Sequence, residues 1–293
     1  MSAEPWHALI AAERLPESYA KIVERWWIPM AEHIADSARA RRQKPLFVGV
    51  SGAQGSGKST VCRFLAELLS ERGLRCVTLS LDDFYLTHAQ RQALAETVHP
   101  LLATRGVPGT HDVRLMEQAF DAFQQRESEF IRLPRFDKAQ DDRAAPDSWH
   151  QTATDADIVL FEGWCVGAEA QDHDALSRPI NALERLEDAD GRWREYVNAA
   201  LAGPYAALFG RLDLLVALLP PDFASVRANR ALQESKLAAG DGPDRRMDSA
   251  ALDRFLAHYE RITLALMDSL PQRADIVVRL GPGQEILSLT AKD

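Results

Sequence analysis

Gly52, Gly57, Lys58 and Ser59 stand at the spacing G-x-x-x-x-G-K-S inside the run LFVGVSGAQGSGKSTVCRFLAELL. Glycines let a backbone curl until successive N–H groups point inward, and a helix opening near Lys58 adds the positive end of its dipole. The resulting cradle, Gly52, Ala53, Gln54, Gly55, Ser56, Gly57, Lys58, Ser59 and Thr60, selects for phosphate. In this pattern the lysine reaches the β- and γ-phosphates and the serine hydroxyl ligates Mg²⁺. The expected ligand is a nucleoside triphosphate with its metal ion.

Acidic residues follow two apolar runs. LSLDDFYL ends a predicted strand with Asp82 and Asp83, and DADIVLFEGW ends another with Glu162. A carboxylate at such a strand end can accept the proton of a hydroxyl attacking the γ-phosphate, or hold water on Mg²⁺. Asp82 is the first choice for that base and Asp83 the alternative, and one of the pair can instead cap the helix starting near Thr87. Glu162 is expected to orient Mg²⁺ beside Ser59, which makes Ser59, Asp82 and Glu162 the candidate metal residues. Gly163 is expected to allow a tight exit, and Trp164 to wall the cleft or fill the core.

The elements that must position these groups are legible as periodicity. Short apolar runs recur at Leu46–Val50, Cys76–Leu81, Ile158–Phe161, Leu212–Leu219 and Ile276–Leu280, with helical spacing between them. Continuous apolar strands alternating with helices are what a parallel sheet buried on both faces requires. The chain is therefore expected to be α/β, a three-layer α/β/α sandwich with a mainly parallel sheet, the P-loop nucleoside triphosphate hydrolase fold. Residues 1–44 read as an N-terminal helical extension, with Trp26 and Trp27 as packing residues, and 45–293 as the nucleotide-binding domain. The polar segment Ala238–Arg246 reads as a mobile loop.

Composition narrows the class. The chain has 293 residues, 46% of them hydrophobic, and 34 basic against 43 acidic side chains give 34 − 43 = −9. That sign disfavours nucleic acid and anionic membrane as partners but leaves a small bound anion possible. Cys62, Cys76 and Cys165 lie far apart without metal-type spacing, as reduced packing thiols do. With no signal-type N-terminus and no apolar run long enough to span a bilayer, the protein is expected to be cytoplasmic.

Taken together, GAQGSGKST, SLDDFYLT, RGVPGTHD, PRFDKAQDDR, LFEGW and RALQE resemble the D-glycerate 3-kinase family, P-loop kinases related to pantothenate kinase, uridine kinase and phosphoribulokinase. The likeness runs from about Pro45 to about Leu270. It implies transfer of the ATP γ-phosphate to a hydroxyl of D-glycerate, a small carboxylate-bearing alcohol, with Mg²⁺ required. The aspartate opening the D-x-F-Y-like motif maps to Asp82, and Asp83 and Tyr85 of the same run fall on the acceptor side. Arg105, His111 and Asp112 either face the acceptor or form a turn, with Asp112 as the cap of the next helix. Arg135, Lys138 and Arg143 offer cations for a carboxylate, from a segment without regular periodicity.

PPDFASVRANRALQESKL reads as a helix carrying Arg227, Arg230 and Lys236, and the resemblance makes the segment around 221–246 a lid, with Arg230 supplying charge to the transferring phosphoryl group. Asn229 stands where the family usually has an aromatic residue. Pantothenate-like or nucleoside-like acceptors and an ATP-binding regulator are the competing readings; a regulator needs no proton acceptor. If the loop is catalytic, Lys58→Ala lowers turnover at least about a hundredfold while circular dichroism shows an unchanged fold. A near wild-type rate would remove the loop from catalysis.

Overall fold

The computed structural model describes residues 5–237 and 247–292, so the loop expected at Ala238–Arg246 lies outside the described residues. Six strands form the central sheet: β1 (Leu46–Gly52), β2 (Cys76–Ser80), β7 (Ile158–Gly163), β8 (Leu214–Leu219), β9 (Ile276–Leu280) and β10 (Ile286–Ala291). Their spatial order is β10-β9-β8-β1-β7-β2, parallel except for β10, which runs antiparallel to β9. The remaining strands make two small antiparallel pairs, β3 (Phe130–Leu133) with β6 (His150–Ala153) and β4 (Phe136–Asp137) with β5 (Asp142–Arg143).

The continuous apolar runs have a direct explanation. Side chains alternate along a strand, so a strand buried on both faces feeds two cores in turn. Val48 and Val50 of β1, Ile158 and Leu160 of β7, and Val216 and Leu218 of β8 point into one core with the N-terminal helices and the helix Lys58–Glu71. Phe47, Val159, Phe161, Ala217 and Leu219 point into the other, under the helices Val113–Gln125, Arg192–Ala200 and Ser249–Arg273. The expected three-layer α/β/α sandwich is what forms.

Residues before β1 share the first core: Trp27 and Ile34 are buried with Phe64 and Leu65, and Trp26 is only half-buried beneath Arg25. β10 carries alternating rather than continuous apolar residues, because it is an edge strand with one covered face, and the search for buried runs passes over it. The pair β4–β5 falls in the segment expected to lack regular periodicity, because two residues per strand leave no repeat to read. Neither Asp82 nor Asp83 caps the next helix. Thr87 does, accepting from Gln90 N–H while the Gln90 side chain accepts from Thr87 N–H.

One buried ion pair clamps the segment after β7 to the long C-terminal helix. Arg261 donates to both carboxylate oxygens of Glu184 at 2.7 Å, and its guanidinium also reaches the carbonyls of Ala175 and Arg178. Their side chains are 9% and 0% exposed. Removing one partner strands the other charge in a low-dielectric site. Glu184→Leu is expected to cost about 3–5 kcal/mol in urea unfolding, and a loss below about 1 kcal/mol would show that the charges do not hold this junction.

Candidate active site

The parallel strands deliver their carboxyl ends to one edge, where doubly wound sheets bind ligands. At the end of β1 the loop turns through Gly55 and Gly57, with φ of +76° and +82°, values that a residue with Cβ adopts only under strain. The helix then begins at Lys58, so its first N–H groups lack intrahelical partners and face the loop. The side-chain oxygens of Ser51, Gln54 and Ser56 are buried around this loop without a hydrogen-bond partner. The two unpartnered hydroxyls can donate, Gln54 Oε1 can only accept, and with the helix N-terminus the hydroxyls offer donors suited to an anion.

Glu162 ties this loop to the neighbouring strands. Its Oε1 accepts from Ser59 Oγ at 3.1 Å and from Ser80 Oγ at 2.9 Å, and its Oε2 lies 3.9 Å from Lys58 Nζ. Oε2 is buried with no hydrogen-bond partner. A hard oxygen set of one carboxylate with an uncommitted atom and one hydroxyl fits Mg²⁺. Sequence reasoning passed over Ser80, although it is the polar residue that ends the β2 run, directly opposite Glu162 in register. Gly163 serves close packing rather than a turn: a Cβ there would meet Leu81 Cβ at 2.7 Å. Trp164 is a core residue, buried, donating to the Gly106 carbonyl at 2.8 Å.

Asp82 and Asp83 sit on the short turn Leu81–Phe84 after β2 and face different partners. Asp82 accepts from Tyr85 OH at Oδ1, 3.0 Å, and from Lys138 Nζ at Oδ2, 2.7 Å. Burial pushes its carboxyl up, but the charges of Lys138 and Lys58 and the Lys138 hydrogen bond outweigh that and bring it down to about 2. Asp82 is thus ionised at neutral pH. Asp83 moves the other way, raised by burial and by the charges of Asp82 and Glu162, against the Phe136 N–H that its Oδ1 accepts at 3.1 Å. Of the two, Asp82 is beside the phosphate-loop lysine, and Asp83 pins a hairpin. Both oxygens of Asp82 have protein partners, so Glu162 is the better fit to a metal ion.

The expected cations are divided by the fold. Arg105 pairs with Asp141 and lies over the Phe136 ring, and Arg143 donates to the Tyr85 carbonyl at 2.9 Å and to Asp112 at 3.1 Å. Arg105 is thus engaged by a side-chain carboxylate and Arg143 by a carbonyl and a carboxylate. Asp112 is also the predicted cap, accepting from Leu115 N–H at 3.1 Å. Arg135 is exposed, with no ion pair among the described residues, and Lys138 is exposed on Asp82. Arg91, which nothing in the sequence marks, is fully buried and donates to the carbonyls of Leu86, Ala103 and Asp141 while pairing with the Asp141 carboxylate at 3.0 Å. The one available signal was the acidic pair Asp141-Asp142, too many acids for a purely carboxylate-binding loop.

His111 stacks on Tyr85, ring centroids 4.4 Å apart, and its Nδ1 lies 2.6 Å from Tyr205 OH. Tyr205 OH also accepts from Gly109 N–H at 3.1 Å, and His111 Nε2 is buried without a partner. Burial lowers the imidazole to about 3, partly opposed by Asp82, so His111 is neutral. It brings no charge to the site.

The helix Phe223–Leu237 follows β8 and lies on the phosphate loop: a Cβ at Gly55 would meet Asn229 Cβ at 3.2 Å. Val226 packs with Ala53 and with Leu252 and Leu256 of the C-terminal helix, and Arg227 pairs with Asp253. Arg230 pairs with Glu234, donates to Gln233 at 2.9 Å and lies over the Phe255 ring, so its guanidinium is engaged along its own helix. Gln284, in the β9–β10 turn, donates to the Gly55 carbonyl from the other side at 2.5 Å. No helix among the described residues is long and apolar enough to cross a membrane.

Comparison with known proteins agrees with this arrangement. Residues 47–171 match the model of the phosphoribulokinase / uridine kinase family. The uncharacterized kinase mug58 of Schizosaccharomyces pombe is 34% identical over 223 residues, covering 74% of this chain and 79% of that protein. The chloroplastic D-glycerate 3-kinase of Arabidopsis thaliana is 32% identical over 168 residues, 53% of this chain but 37% of that protein. The solved D-glycerate 3-kinase from Cryptococcus neoformans var. grubii superposes with a TM-score of 0.75 at 25% identity, over 92% of this chain and 99% of that one. With a nucleotide loop, strand-end carboxylates and these relatives in common, the chain belongs to the P-loop kinases of the phosphoribulokinase and uridine kinase family, among the homologues of D-glycerate 3-kinase.

Proposed function

We propose that this kinase transfers the γ-phosphate of ATP to a hydroxyl of D-glycerate, giving a phosphoglycerate. The observation that carries the reading is Asp82, ionised, between the phosphate-loop Lys58 and the exposed Lys138. The first cation suits the phosphates and the second a carboxylate on the acceptor. Similarity to two proteins named as D-glycerate 3-kinases supports glycerate over pantothenate, which is also an anionic alcohol.

In this mechanism the loop N–H groups and Lys58 hold the β- and γ-phosphates. Ser59 and Glu162 hold Mg²⁺, which neutralises phosphate charge when bound. The acceptor oxygen bonds to the γ-phosphorus, the bridging P–O bond breaks with its electron pair leaving on ADP, and the hydroxyl proton passes to Asp82. A carboxylate held near 2 is a weak base, which suits a loose transition state in which the proton moves late. Arg230 serves the phosphoryl group once it leaves Glu234.

Asp82→Asn is expected to lower kcat by roughly 10²–10⁴-fold with little change in ATP affinity. Asp83→Asn, which keeps an oxygen for Phe136 N–H, is expected to cost far less. Greater damage from Asp83→Asn would reverse the two roles. The acceptor itself is tested by ADP release with D-glycerate, L-glycerate, glycerol and pantothenate. D-glycerate is expected to show the highest kcat/KM; a higher value for glycerol or pantothenate would overturn the substrate and leave the kinase.

A further inference from the structure

The hairpin β4–β5 is held on several sides and carries one long exposed cation. Asp83 accepts from Phe136 N–H, Arg91 and Arg105 both close on Asp141, and Arg143 binds the Tyr85 carbonyl. Those contacts hold the hairpin and occupy Arg91, Arg105 and Arg143, leaving Arg135 exposed just before it. Lys138, in the turn between the strands, takes no part in them: its side chain is 61% exposed and its ammonium sits 2.7 Å from Asp82 Oδ2. Tyr85 OH occupies the other oxygen. Each oxygen of Asp82 thus already accepts one hydrogen bond, and its charge is taken up by one of the two partners, Lys138. Tyr85 is buried, stacked on His111 and edge-on to Phe136, so the partner able to leave is Lys138.

We infer that Lys138 sets the specificity for anionic alcohols by exchange: the acceptor's carboxylate draws the ammonium off Asp82 Oδ2, and the oxygen so released takes the acceptor's hydroxyl proton. The inference rests on the kinase reading and adds to it a role for Lys138 in kcat as well as in binding. An exposed ion pair contributes little net stability, so trading one carboxylate partner for another is close to balanced. Lysine suits this task, being a point charge with rotatable donors on a flexible stem, where an arginine fork binds in one plane. A neutral alcohol or a water molecule brings no charge, so Lys138 stays paired with Asp82 and the carboxylate stays a weaker proton acceptor. Lys138 neither gains nor loses a proton; the hydroxyl proton goes to Asp82 and the bridging electron pair to ADP. Lys58, the other cation acting on Asp82, belongs to the phosphate loop and is directed at ATP.

The test uses the full chain and its Lys138→Met and Lys138→Arg variants, measuring ATP consumption without acceptor, with glycerol and with D-glycerate. Lys138→Met is expected to raise the KM for D-glycerate about tenfold and to raise acceptor-free hydrolysis or glycerol turnover about fivefold. Lys138→Arg, which keeps the charge, is expected to return both neutral rates toward wild type. A rise in either neutral rate in Lys138→Met supports the exchange. If neither rises, the exchange is overturned whatever happens to KM, because a lysine that only binds the acceptor moves KM alone. A wild-type protein that leaves D-glycerate untouched would refute the substrate, while the acceptor-free comparison would still decide the role of Lys138.

Discussion

Glu162 is a buried carboxylate at the meeting point of three strand ends, and the geometry of the site depends on how it is satisfied. A buried charge must be paired or hydrogen-bonded, or the fold loses stability. Here Ser59 comes from the helix after β1, Ser80 from the end of β2, and Lys58 from the phosphate loop. The parallel register that sets Val50 and Ser80 on either side of Glu162 thus also sets the distance between the phosphate loop and the turn bearing Asp82. Oε2 faces Lys58 at 3.9 Å but has no hydrogen-bond partner.

Charge on the acceptor side is organised by a different rule. The small hairpin has little core of its own, with two residues per strand, so polar contacts hold it. Arg91, Arg105 and Arg143 supply them, each through backbone carbonyls or a carboxylate. Arginine is suited to this because its fork makes several directed bonds at once. The side chains left exposed are Arg135 and Lys138, and only Lys138 meets a carboxylate of the strand-end pair.

The helix Phe223–Leu237 lies directly on Gly55, close enough that the position tolerates no larger residue without movement. Asn229 contributes its backbone and Cβ to that contact, so the absence of an aromatic side chain there does not open the interface. A small apolar cluster of Ala53, Val226, Leu252 and Leu256 joins loop, helix and C-terminal helix, separate from the two main cores. Arg230 and Glu234 form an internal pair beside it.

Much of this was legible in the chain. Four of the six sheet strands show as continuous apolar runs because both their faces are largely buried, β2 shows as a shorter apolar run at the other edge, and the phosphate loop shows as a spacing because glycines and the Lys-Ser pair are contiguous. The carboxylates at 82, 83 and 162 were visible as acids closing those runs. β10 and the hairpins escaped, since an edge strand with one covered face and strands of two residues leave no comparable period. What only the tertiary structure decided is which charges remain available. Arg105, Arg143, Arg135 and Lys138 look alike in sequence, and their roles diverge because Asp141, Asp112 and the Tyr85 carbonyl arrive from other segments. Asp82 and Asp83 are neighbours in the chain, yet the turn aims one at Lys138 and Tyr85 and the other at the Phe136 amide. Local spacing determines which groups are near one another along the chain; the electrostatic task of each depends on partners brought in through space, and those are a property of the fold.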